Sequence, residues 1–173
     1  MTELGSNTTD LWSFALGVYL QEGIAAQFLA FQEEFGADVN LLLYSCWEGA
    51  GRGRRLSGDE IGTAASHVAD WHAEVVRPLR ALRTRLKPGF PPIEAIGSDR
   101  LREQIKALEI GAERLELGAL EAAALHRPPD AAPDVSLAAE NLRASLLYYA
   151  GRDLPPEAEA RVCRVAEAVA KAT

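Results

Sequence analysis

Two apolar stripes constrain the fold more than any other feature of the sequence. Ile61, Ala65, Val68, His72, Val75, Leu79, Leu82 and Leu86 step alternately by four and three residues, and Leu101, Ile105, Leu108, Ala112, Leu115, Ala119, Ala122 and His126 do the same. An α-helix, at 3.6 residues per turn, lines such steps up on one face. The Pro- and Gly-containing segment 87–97 between the stripes interrupts the helical pattern, so the pair predicts a long antiparallel helical hairpin over about 58–126. Pro78 falls inside the first arm. It has no N–H and crowds the carbonyl of Glu74, which predicts a kink between Glu74 and Pro78.

The flanking segments read the same way. Val39, Leu42, Leu43, Cys46 and Trp47 share one helix face, and Asp38 precedes them as an N-cap. Ile24, Phe28, Phe31 and Phe35 form an earlier face that ends at Gly36, and Trp12, Ala15, Leu16 and Tyr19 one before that. Asp10 and Asp59 also read as caps. After the breaker RPPDAAPD at 127–134, two shorter helices are predicted at about 135–150 and 156–172. No strand pattern is found. The expected fold is an all-α bundle of about six to seven helices built around the long hairpin. It forms one domain over 1–173, with a helical core at 8–126 and a C-terminal helix pair at 134–173. A chain of 173 residues, 48% hydrophobic, can bury a core of that kind.

Charge and composition exclude several classes. The net charge is −7, with residues 1–50 carrying seven acidic side chains and no Lys or Arg, while 51–90 carry eight basic and four acidic ones. An overall polybasic nucleic-acid binder is therefore excluded. The N-terminus lacks the basic and apolar regions of a signal peptide, and the charge-free run from Leu11 to Gln21 is half of a bilayer span. Cys46 and Cys163 form no CxxC pair. A cytoplasmic protein with free thiols and no membrane association is expected.

Catalytic and metal signatures are missing at the level of local spacing. GAGRGRR at 49–55 has no GK[ST] and follows no strand, and reads as a basic loop. No histidine has a Glu three residues before it, and His67 and His72 stand about 500° apart around a helix. No metal, cofactor or catalytic residue is expected. His72 reads as a core or rim histidine and Cys46 as a small core hydrophobe.

Several of these residues occur in short motifs: Trp12, Phe14 and Ala15; Asp38, Val39, Asn40, Leu42, Leu43 and Trp47; Trp71; and Val76, Pro78, Leu79, Arg80 and Arg83. Together they resemble a bacterial family of small proteins known only as a domain of unknown function. The resemblance covers about residues 10–115, extends to Lys106, Glu109 and Glu113, and implies a helical fold without supplying an activity.

A polar set stands out against the apolar pattern. Arg80, Arg83 and Lys87 form one stripe, and Glu109, Glu113 and Glu116 another of the same spacing. Antiparallel pairing predicts ion pairs from Arg80 and Arg83 to Glu109 and Glu113, with Asp38, Asn40 and Gln32 nearby. The functional expectation placed first is a non-catalytic adaptor that binds another protein. The second is a small anionic-ligand binder, or an enzyme without a recognised motif, in a pocket walled by Trp12, Trp47 and Trp71 and pointed by Asn40, Gln32 and Arg80. The third is RNA or ribosome association through Arg52, Arg54, Arg55, Arg77, Arg80, Arg83, Arg85 and Lys87, disfavoured by the net charge. Self-association is compatible with the heptads.

Overall fold

The computed structural model describes residues 9–173, and all regular structure among them is helical. The helices are α1 (Leu11–Tyr19), α2 (Ile24–Phe35), α3 (Val39–Ala50), α4 (Gly58–Trp71), a π-helical turn (His72–Val76), α5 (Arg77–Arg85), α6 (Ala95–Leu125), α7 (Val135–Ala150) and α8 (Pro156–Ala172). Side-chain chemistry sets many of their starts. Asp10 Oδ1 accepts from Ser13 N at 3.0 Å, and Asp38 Oδ1 from Asn40 N at 2.9 Å. Ser57 and Glu60 form a reciprocal capping box at α4. Ser57 therefore takes the cap expected of Asp59, which lies in the first turn. Gly36, at φ 67°, closes α2 in a left-handed conformation that costs glycine little. No single helix among the described residues is long and apolar enough to cross a membrane.

The sequence reading centres the bundle on the hairpin; the structure centres it on α3. Every one of the twelve α3 residues is buried, whereas α5 buries none. One hydrophobic cluster joins side chains of α1–α4 and α6–α8, so the C-terminal pair shares the core with the preceding helices. The α3–α7 contact is the most extensive between helices among the described residues. Asn141 of α7 donates to the carbonyls of Ser45 (3.1 Å) and Arg54 (2.8 Å) and accepts from Leu56 N–H (2.9 Å). Ser45 and Ser145 hydroxyls meet at 2.8 Å. A Cβ on Gly49 would stand 2.5 Å from the carbonyl carbon of Leu137.

The basic loop after α3 is a buried clamp. Arg52 stacks 5.3 Å over the Trp47 ring and bonds the carbonyl of Arg127. Arg54 bonds Glu60 at 2.8 Å and Asp130 at 3.4 Å. Both arginines are almost fully buried, so residues 52–87 do not present one continuous basic surface.

Two registers depart from the apolar stripes. At Pro78 the helix does not simply kink: one π turn intervenes, with Arg77 N–H bonded to the carbonyl of His72. The extra residue rotates the inward face, so Val76 is fully buried and Val75 only half-buried. On α6 the inward face is Ile105, Glu109, Ala112, Glu116, Leu117, Leu120 and Ala124. Leu101, Leu108, Leu115, Ala122 and His126 point outward instead. The reason is electrostatic. The facing arm presents Arg80 and His72, and their burial without carboxylate partners would cost more than exposing leucines.

Gly49→Ala is expected to destabilise the protein by about 3 kcal/mol or more, because the obstructing atoms are backbone. Chemical denaturation checks this.

Candidate functional site

Three helices bring three ionisable side chains to one point. Asp38 comes from the N-cap of α3, His72 from the first residue of the π turn, and Glu116 from the middle of α6. His72 Nδ1 lies 3.3 Å from Asp38 Oδ2 and 3.2 Å from Glu116 Oε1. One ligand atom from each residue lies within 4.8 Å of the other two. Asp38 is 7% exposed and Glu116 1%. His72 is half-buried and, with Asp38, lines a cleft of about 900 Å³ that opens toward Gln32, Arg77, Arg80 and Tyr149.

Two carboxylates this close and this buried do not both hold full charge. Burial, followed by the bond to Glu116 and its charge, pushes Asp38 up to about 8 from its ordinary 3.8. For Glu116, burial pushes upward, but bonds from His72, Asp38 and Asn40 outweigh it and hold the group below its usual range. For His72, burial pushes downward, and the two carboxylates more than reverse it, so the imidazole is raised. Burial, then the Asp38 charge, keeps the Tyr149 hydroxyl protonated far above neutral pH.

A second cluster adjoins the first along the hairpin. Arg80 uses all three guanidinium nitrogens: Nε donates to Glu109 at 3.0 Å, one terminal nitrogen donates to Glu113 at 2.5 Å, and the other donates to Gln32. Arg83 closes on the same Glu109. Burial pushes Glu109 up, but its bonds from Arg83 and Arg80 hold it below the ordinary value. Glu113 goes the other way, raised by burial despite Arg80.

Of the residues singled out in the sequence, Gln32, Asp38 and Arg80 line the cleft. Asn40 is buried beside Glu116, and Arg83, Glu109 and Glu113 form the ion-pair seam. The tryptophans do not wall the cleft. Trp47 is in the core with its indole N–H on the carbonyl of Thr9, Trp12 lies under Arg114, and Trp71 bonds the carbonyl of Ala112 from outside. With every nitrogen of Arg80 engaged, the expected anion-binding group is already neutralised. Cys46 is fully buried, which pushes its thiol up to about 12, as suits a core side chain.

Local spacing missed the Asp38–His72–Glu116 point because its members are far apart in sequence. Hairpin register carried the signal. With Arg80 set against Glu109 and Glu113, antiparallel arms carry His72, eight residues earlier, toward positions 117–121, and Glu116 lies at the near edge of that span.

In protein stripped of divalent cations by a chelator, thermal stability is expected to fall as pH rises from about 4 through about 8. Folded Asp38 keeps a proton that its unfolded form releases near 3.8, so that stabilisation is lost on the way up. His72 acts in the same direction. Glu116, lowered, acts oppositely and only in acid. Asp38→Asn keeps an N-cap acceptor and is expected to flatten the slope in melting temperature measured across that range.

A family model described as a protein of unknown function (DUF2390) matches residues 10–120. Neither a curated protein nor a solved structure matches the chain.

Proposed function

Since the chain belongs to this family of unknown function (DUF2390), we propose a role from its own side chains: it binds a first-row divalent cation through Asp38, His72 and Glu116, with the ion facing the cleft. One observation carries the reading. A single imidazole nitrogen faces two buried carboxylates at 3.2 and 3.3 Å. One N–H serves one acceptor well, whereas a cation at that point satisfies both oxygens and accepts the neutral imidazole lone pair. Ligands ~2.0–2.1 Å from a tetrahedral ion stand ~3.3 Å apart, matching these separations. The oxygen–oxygen–nitrogen set suits Zn²⁺, Mn²⁺ or Fe²⁺.

The surroundings support an open site. Three protein ligands leave a coordination position free, as in catalytic rather than structural zinc sites. Asn40 bonds Glu116, and Asn40 N–H bonds the second Asp38 oxygen, so both carboxylates are oriented from outside. The π turn begins at the histidine itself, and π insertions inside α-helices are frequent at functional positions. A bound cation at the cleft wall would supply Lewis-acid polarisation of a small ligand or of water. The adaptor reading draws on a different part of the molecule, the exposed apolar side chains of α6.

Zn²⁺ or Mn²⁺ added to chelator-stripped protein is expected to bind at one equivalent. At a hundredfold excess over Kd it should stabilise the fold by ~2.7 kcal/mol. Calorimetry in buffers of different ionisation enthalpy should show proton release, with affinity rising through about pH 8 as Asp38 gives up its proton. His72→Ala and Glu116→Gln should abolish binding. Absence of any stabilisation by Zn²⁺, Mn²⁺ or Co²⁺ in the intact protein would overturn the reading.

A further inference from the structure

The outer face of α6 carries an exposed apolar stripe. Leu101, Leu108, Leu115 and Leu125 are 48%, 62%, 64% and 65% exposed. Gln104, Gly111, Gly118 and Ala122 complete the stripe between them at steps of three and four. Ten charged residues occupy α6, and none falls on this stripe. Gly111 and Gly118 lie mid-helix, where glycine costs helix stability, and a Cβ on either would meet nothing within 4 Å. Packing inside the chain therefore does not require glycine at these positions. Close approach of another helix would.

We infer that this stripe is a homodimer interface, in which α6 packs antiparallel against α6 of a second copy about a two-fold axis near Glu113. The pattern is self-complementary. Reversing the helix about that position sets Leu115 over Gly111, Leu108 over Gly118, Gln104 over Ala122 and Leu101 over Leu125. In three of the four layers a larger side chain faces a smaller one, which lets facing layers interdigitate, and a two-fold axis repeats each layer once. The end layer falls beside the apolar groove at the hairpin tip, where Leu82, Phe90 and Ile93 already lie with Leu101. A stripe of this span is ~36 Å long. Two of them would bury on the order of 1,000 Å², the low end for a specific interface. The dimer is accordingly a weak, concentration-dependent one. It leaves the Asp38–His72–Glu116 cleft on the opposite face of α6 free, and it stands independently of the cation reading.

Sedimentation equilibrium of the full chain under reducing conditions, which keep the exposed Cys163 from cross-linking, tests the inference. A monomer–dimer equilibrium is expected in the micromolar range. Leu115→Glu should abolish it while leaving the helical circular dichroism unchanged. Gly118→Leu supplies the second, opposite-signed test. It replaces a mid-helix glycine in open space, so the melting temperature should rise, while filling the hole for Leu108 should weaken dimerisation at least tenfold. A monomer up to millimolar concentration, a dimer indifferent to Leu115→Glu, or a dimer unweakened by Gly118→Leu would each overturn it.

Discussion

The contact on which the site depends is the salt-bridged seam between the hairpin arms. Arg80 reaches Glu109, Glu113 and Gln32 at once, and Arg83 closes on Glu109. Such a seam adds little net stability, because desolvation offsets most of the attraction. Its contribution is register. A slide of one helical turn that set Ile105 in the place of Glu109 would leave Arg83 without its carboxylate, and a slide either way would move His72 off Glu116. With that slide forbidden, His72 is held opposite Glu116, and the Asp38 cap of α3 completes the point.

The π turn is the second half of the same device. Pro78 cannot donate to the carbonyl four residues back, and the arm accommodates this by adding one residue to the turn just before it. The insertion brings Val76 into the interior and leaves Arg80 on the seam. A regular helix through Pro78 would spread His72, Val76 and Arg80 over about 80° of its face, and the wider turn draws them closer to one line toward α6. The proline usually read as a defect thus sets the phase between site and seam.

How much of this the sequence discloses depends on the range of the interaction. Helix existence, the Asp38 cap, the α2 stop at Gly36 and the Arg–Glu complementarity are local or nearly so, and periodicity reveals them. Three things are not local. The centrality of α3 comes from Gly49 and Asn141, whose roles emerge only when α7 lies against α3. The burial of Arg52 and Arg54 requires carbonyls and carboxylates from the loop after α6. The inward face of α6 does not follow from periodicity, because two stripes with the same three–four spacing overlap on one helix, and hydrophobicity alone favours the leucines.

That overlap connects the two halves of the molecule. A 31-residue helix with leucines on one side and carboxylates on the other would normally bury the leucines. Here α3, α4 and the π turn demand the acidic side, because His72 and Arg80 are already fixed on the facing arm. Beyond Glu116 the inner face carries no further charge, and Leu117, Leu120 and Ala124 join α6 to the main core. The leucine stripe is left on the outside as a consequence, and the glycines spaced along it keep that side smooth enough for another helix to approach. One electrostatic choice inside the hairpin therefore decides both where the ionisable cluster forms and which surface remains to be covered.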